Sequence, residues 1–288
     1  MSVSQTGPRP KRAFVIGHPI AHSRSPMLHG HWLETLGLAG VYEARDVAPE
    51  ALPAFFENLR AEGYVGGNVT VPHKLAVIPF LAEIDEAARA IGAVNTIWLE
   101  GGRLVGGNTD AYGFLGNLDQ LAPGWDAAGG VAVVLGAGGA ARAAVYALLS
   151  RGFAVRLVNR TPATARDLAA HFGEGVTAHD WTALPALLPE ANLLVNTTSL
   201  GMLGKPPLDI DLTQLKAGAV VNDIVYVPLD TPLLRQARAR GLRTVDGLGM
   251  LLHQAVAGFA HWFGVTPSVT PALRALLEAD IRAKTPGA

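Results

Sequence analysis

The chain has no cysteine among its 288 residues. Disulfide frameworks, thiolate nucleophiles and cysteine-ligated metals are therefore excluded, which fits a cytoplasmic compartment. Charge is sparse at 16% and nearly balanced, with 23 basic against 24 acidic side chains. A net charge of -1 leaves no overall electrostatic footprint for nucleic acid or for an anionic membrane surface. Small molecules are the expected partners. No apolar stretch reaches the roughly 18 to 20 residues needed to cross a bilayer, because the best candidate, Gly130 to Leu149, is broken by Arg142 and four glycines. Met1 to Arg12 is polar, holds two prolines and lacks the apolar segment of a secretory signal. It reads as a loose tail on a soluble protein. Internal repeats and low-complexity linkers are also missing.

What is present is a large supply of core. Apolar residues make up 49% of the chain, and the length suits two domains of ordinary size. Short β-branched runs alternate with longer amphipathic stretches, the pattern of an α/β protein whose parallel sheet is covered by helices. Strands are expected at Ala13 to Gly17, Val41 to Asp46, Gly66 to Val71, Ala93 to Glu100, Val131 to Leu135, Ala154 to Val158, Leu193 to Asn196, Ala219 to Asp223 and Arg243 to Asp246. Ser25 before Pro26 predicts a helix start, with the hydroxyl as cap and proline in the first turn, and Gly37 predicts its stop.

The strongest cofactor signal is Val133-Val-Leu-Gly136-Ala137-Gly138-Gly139-Ala140, a strand, a glycine turn and then an alanine-rich helix. Gly136 allows a tight turn, Gly138 lets the backbone approach a pyrophosphate, and the helix N-terminus favours the negative charge. Ala141 stands where a third glycine is usual. The plain alternative is a conformational turn. The next strand ends in Asn159-Arg160-Thr161, with no acid where a carboxylate would bond the ribose of NAD. Arg160 can pair there with a 2′-phosphate and favours NADP, unless it is merely a solvated loop arginine.

Two other runs carry chemistry, Asn68-Val-Thr70-Val-Pro-His-Lys74 and Gly107-Asn-Thr-Asp110. Lys74, placed just after Pro72 in an expected first helical turn, can pass a proton to or from a substrate oxygen while a nicotinamide exchanges hydride with the adjacent carbon. Taken alone, Lys74 reads as a solvated charge, Asp110 and Ser25 as helix caps, and Ser23 as a turn residue. The spacing of His18, His22, His29 and His73 closes no metal site, so these are read as structural.

With His22-Ser23-Arg24-Ser25-Pro26, Gly92-Ala-Val-Asn95-Thr96, Asn196-Thr-Thr-Ser-Leu-Gly-Met202, Asp223-Ile-Val-Tyr226 and Gly247-Leu-Gly-Met-Leu-Leu-His-Gln254 in the same order, the chain resembles the shikimate dehydrogenase family from Ala13 to about Gly264. The resemblance implies an N-terminal α/β substrate domain with a mostly parallel sheet, formed by residues 1 to 109 and about 247 to 288. A Rossmann-like NADP-binding domain over 110 to 246 would be inserted in it, with a cleft able to close on the ligands. It makes Lys74 the catalytic acid/base with Asp110 its partner, Ser23 and Ser25 the holders of a ring carboxylate with Tyr226 nearby, and Thr70, Asn95 and Gln254 further substrate ligands. Gly136, Ala137, Gly138, Gly139, Ala140, Asn159, Arg160 and Thr161 would hold NADP. Thr197, Ile224 and Gly247 would place the nicotinamide end, and Glu86 would approach from the substrate domain. No metal is implied.

The resemblance further implies NADP-dependent reduction of 3-dehydroshikimate to shikimate on the route to aromatic amino acids, by a monomer or homodimer. One departure bears on the cofactor, since Thr164 stands where a second basic residue is common, leaving Arg166 as a helper. A quinate/shikimate dehydrogenase using NAD, a folate dehydrogenase-like enzyme that also uses a lysine, and a non-catalytic nucleotide-binding regulator stay open as alternatives.

Overall fold

Apolar runs flanked by glycine form the strands. Lys11–Gly17 (β1) buries Ala13 to Ile16 on both faces, as expected of a strand inside a covered parallel sheet. The computed structural model describes residues 10–285. Of the expected tail, Met1 to Arg9 lies outside the described residues, while Lys11 and Arg12 already belong to β1.

The elements follow β1 as Ser25–Thr35 (α1), Gly40–Asp46 (β2), Leu52–Asn58 (α2), Tyr64–Val69 (β3), Glu83–Ile84 (β4), Glu86–Ile91 (α3), Thr96–Glu100 (β5) and Arg103–Gly107 (β6). Next come Asp110–Leu121 (α4), Gly130–Leu135 (β7), Gly139–Ser150 (α5), Phe153–Val158 (β8), Pro162–Phe172 (α6), Val176–His179 (β9), Leu184–Leu187 (α7) and Ala191–Asn196 (β10). Val220–Asp223 (β11), Pro232–Ala239 (α8), Arg243–Val245 (β12), Leu248–Phe263 (α9) and Pro271–Lys284 (α10) complete the chain.

The chain divides into two compact units. The first gathers the described residues up to Asp85, Val94–Gly107 and Ala255–Ser268, and the second gathers Glu86–Ala93, Asn108–Gln254 and the described residues from Val269 onward. Both α3 and α10 thus pack with the second unit. Arg274 of α10 is tied there by a 2.5 Å ion pair to Asp246.

The first unit's sheet has the order β2-β1-β3-β5-β6-β4. Its first three strands are parallel, and β5 and β6 form an antiparallel hairpin. Phe14 meets Phe55 and Tyr64 edge-to-face at 5.0 and 5.2 Å, a geometry that adds to simple burial. The backbone of β3 passes close beneath this cluster. A Cβ on Gly67 would strike the Phe14 ring, and one on Gly66, at φ 149°, would strike the Trp262 indole and the Ile97 carbonyl. Side-chain-free positions there let aromatic rings lie on the sheet.

The second unit's sheet is wholly parallel, ordered β12-β11-β10-β7-β8-β9. The chain winds outward from β7 to β9, returns beside β7 at β10, and winds the other way, which is the doubly wound order of a Rossmann fold. Ala141, Ala143, Ala144 and Ala147 on α5 are all buried. Their small side chains let the helix lie close to the sheet. Thr231 and Thr270 accept hydrogen bonds from Leu234 and Leu273 and cap α8 and α10, an interaction worth about 1 kcal/mol each.

Several expectations fail locally. The α1 cap is Arg24, which makes no side-chain capping bond, and Ser25 is already helical, its N–H donating to Ser23 Oγ at 3.3 Å. No regular helix holds Lys74. The chain after β3 runs through successive turns, with single bonds from His73 to Thr70 and from Val77 to His73. Strands β4, β6 and β9 were not expected. The β5–β6 hairpin turns on Gly101 and Gly102, both at positive φ, a two-glycine signal present in the sequence.

Candidate active site

The glycine turn of the second unit stands at the switch point between β7 and β10, where doubly wound sheets bind ligands. Gly136 donates to the Val158 carbonyl at 2.8 Å. Its φ is 105°, and any Cβ there would lie only 2.7 Å from Thr197 Oγ1, so the position requires glycine. Thr197 is fastened to the Leu135 carbonyl by its N–H at 2.9 Å and its hydroxyl at 2.6 Å. Gly138, the N-cap of α5, and Gly139 are exposed, with nothing within 4 Å of where a Cβ would lie. The helix N-terminus and this open space fit a dinucleotide pyrophosphate. Asn159 Nδ2 donates to the Thr161 carbonyl at 3.0 Å, shaping the turn that leaves Arg160 exposed. Beside it Pro162, Arg166, Ala178, His179 and Asp180 line a cleft of about 240 Å³.

The ends of β10 and β11 are locked together by Asp223. Its carboxylate accepts from Asn196 Nδ2 at 2.9 Å, the Val225 N–H at 3.1 Å and the Thr231 hydroxyl at 2.7 Å. Asn196 Oδ1 in turn accepts from the Thr198 N–H and hydroxyl at 3.0 and 2.7 Å. One buried acid therefore fixes the loops that carry Thr197, Ile224 and Tyr226. Burial raises its pKa to about 6, against the opposing pull of its three hydrogen-bond donors. Gly247 lies so close to Ile224 that a Cβ would meet its backbone.

Still in the second unit, Asp110 opens α4, and its N–H donates to Asn108 Oδ1 at 3.0 Å. The cap position belongs to Thr109, not Asp110. Gly113 of α4 packs against the backbone of α9 at Gln254, and the Thr109 hydroxyl meets Gln254 Oε1 at 3.5 Å. Glu86 is exposed at the start of α3. That helix is held to the second unit by Arg142 and His171, which reach the Ile91 and Ala90 carbonyls at 3.4 and 2.6 Å. Glu86 therefore packs with the second unit.

In the first unit the predicted residues gather at the C-terminal end of β3. Thr70 donates its N–H to Ile16 at 2.9 Å, Val94 donates to the Lys74 carbonyl at 2.8 Å, and Val69 donates to the Asn95 carbonyl at 2.8 Å. The Asn95 N–H reaches Gly107 at 3.0 Å. This network brings Thr70, Lys74 and Asn95 together, with Lys74 half-buried and both Asn95 and the nearby Ser25 buried.

His29 is fully buried against Tyr42, the two rings stacked 4.0 Å apart. Burial lowers its pKa to about 3, with Asn68 pulling weakly the other way. Neither ring nitrogen makes a hydrogen bond of acceptable geometry, so the Asn68 contact is no more than a near approach. The other histidines are placed locally, His73 against the Val47 carbonyl at 2.7 Å and His18 against Asp46 at 2.6 Å. Among the described residues, no group of three or more acidic or histidine side chains is arranged to hold a metal ion. Likewise, no helix among them is long and apolar enough to cross a membrane.

Three family profiles match the chain: "Shikimate dehydrogenase substrate binding domain" over residues 15–97, "Shikimate / quinate 5-dehydrogenase" over 123–202 and "Shikimate 5'-dehydrogenase C-terminal domain" over 247–277. A curated relative from Azorhizobium caulinodans, named shikimate dehydrogenase (NADP(+)), is 61% identical, covering 95% of this chain and 98% of its own length. The chain belongs to the shikimate dehydrogenase family.

Solved members of the shikimate dehydrogenase family share the fold. The Thermus thermophilus enzyme, crystallised with NADP(H) and shikimate, is 39% identical with a TM-score of 0.82, covering 95% of this chain and 99% of its own. A quinate dehydrogenase from Corynebacterium glutamicum, in complex with NAD, is 31% identical with a TM-score of 0.86, covering 94% and 99%. Sequence reasoning gave no role to Tyr42 or Thr231, and it quoted Asn196 and Asp223 only as the starts of family motifs. The available signal was a polar residue at the C-terminal end of a buried strand, as Asn196 and Asp223 are.

Proposed function

We propose that this chain catalyses the reversible NADP-dependent reduction of 3-dehydroshikimate to shikimate, a step toward the aromatic amino acids, in the cytoplasm. The observation that carries this reading is the 61% identity, over nearly its whole length, to a relative named shikimate dehydrogenase (NADP(+)). NADPH, when bound along Gly136 to Ala140, supplies hydride to the substrate's carbonyl carbon.

The chain's own residues do the rest. Lys74, presented from the turns after β3, gives a proton to the carbonyl oxygen, and Asp110 serves as the second acid/base group. Ser23 and Ser25, with Tyr226, take the ring carboxylate, while Thr70, Asn95 and Gln254 pair with the remaining oxygens. Arg160 pairs with the 2′-phosphate of NADP, flanked by Asn159 and Thr161. Thr197, Ile224 and Gly247 set the nicotinamide end, and Glu86 borders the cofactor. Residues 1 to 109 and about 247 to 288 contribute the substrate side, and 110 to 246 the nucleotide side. The chain works as a monomer or homodimer.

The test is initial-rate oxidation of shikimate and of quinate, each with NADP and with NAD, followed by nicotinamide absorbance. Strong activity confined to shikimate with NADP is expected. Comparable rates with quinate and NAD would assign the chain to the quinate branch, and no turnover by folded protein would refute the enzymatic reading.

A further inference from the structure

Within the first unit a line of buried polar groups runs from Tyr42 to Asn95, with Ser25 near its start. Ser25, Tyr42, Asn68, Thr96 and Asn95 are all less than a tenth exposed. The direction of each bond is forced by its neighbours. Asn68 Nδ2 donates to the Asn95 carbonyl and to Thr96 Oγ1, both at 3.2 Å, so the other end of that amide must be its oxygen. Asn68 Oδ1 accepts the Tyr42 phenol proton at 2.6 Å. The Ser25 side chain lies near the phenol. At the far end Thr96 spends its own proton on Asn95 Oδ1 at 2.9 Å. The amide of Asn95 is thereby orientated, its oxygen turned inward and its N–H donors turned away from Thr96.

The stacked His29 imidazole is kept uncharged by burial, and the Tyr42 ring packs on it and against Trp262, 5.7 Å away. In a low-dielectric interior a fully satisfied line of this kind is rigid, and breaking one link leaves the next group unpaired.

We propose that Tyr42 is a positioning residue for substrate recognition. Through Asn68 and Thr96 it fixes the Asn95 amide with its oxygen inward, so that the same face of that amide meets the substrate's ring oxygens. The proposal rests on the reading of Asn95 as a substrate ligand.

Tyr42→Phe keeps the ring against His29 and deletes the hydroxyl, while Thr96→Val removes only the last link. Each should raise the KM for shikimate about tenfold, the loss of roughly one buried hydrogen bond, with the KM for NADP unchanged. In an Asn95→Ala background, Thr96→Val should change the shikimate KM by less than about twofold, since its effect passes through Asn95.

If Asn95→Ala and Ser25→Ala raise the shikimate KM but Tyr42→Phe and Thr96→Val do not, the line is only structural and the proposal fails while the site stands. Equal rises in both KM values, or full additivity of Thr96→Val with Asn95→Ala, overturn it as well. If Asn95→Ala and Ser25→Ala change nothing, the substrate-site reading itself is wrong. Should Tyr42→Phe not fold by circular dichroism, the Thr96→Val cycle alone decides.

Discussion

Replacing Asp223 by asparagine should change how the stability of this protein depends on pH, by an amount the structure lets one work out. The acid is 1% exposed, and burial lifts its pKa from 3.8 to about 6. Because the folded value lies above the unfolded one, the folded chain holds this proton longer. Its contribution is complete below about pH 4 and is lost as pH rises to about 6. At roughly 1.4 kcal/mol per pH unit, the gap is worth about 3 kcal/mol.

Asparagine mimics the protonated acid. It keeps an oxygen for Asn196 and Val225 and offers an N–H toward Thr231, whose hydroxyl oxygen can accept. Urea denaturation of both proteins at constant ionic strength, in steps from about pH 3.5 to 7, gives the difference directly, and carboxylates common to both cancel. The wild-type protein should lose about 3 kcal/mol relative to Asp223→Asn across that range. A difference that stays flat with pH would refute the claim that a buried carboxylate ties β10 to β11 at a cost in charge.

His29 should act in the opposite direction. Its folded pKa of about 3 lies below the ordinary 6.5, so its contribution is complete above about pH 6.5 and is lost on acidification toward pH 3; His29→Leu should flatten that acid limb in the same denaturation series. Gly136→Ala introduces both a positive-φ penalty and a clash with Thr197, and should cost about 1–3 kcal/mol and raise the KM for NADP far more than that for shikimate. Lys74→Ala or Asp110→Asn should cut kcat by about a hundredfold or more with an unchanged circular dichroism spectrum, and near-normal turnover in either would remove that residue from the chemistry.

The sequence alone carried a parallel sheet covered by helices, because β7, β8, β10 and β11 are short, largely apolar runs separated by amphipathic stretches. A glycine turn leading into an alanine-rich helix likewise announced the nucleotide loop. Both signals are local, set by backbone conformation and burial within a few residues. Tertiary structure alone decided that α3 packs with the second unit, since nothing in Glu86–Ile91 encodes its contacts with Arg142 and His171. It alone showed that Asp223 is a buried hub and that Tyr42, Asn68 and Thr96 form one orientated line. Those properties arise where distant segments meet out of water. A lone polar residue looks the same in sequence whether solvent or another buried group satisfies it.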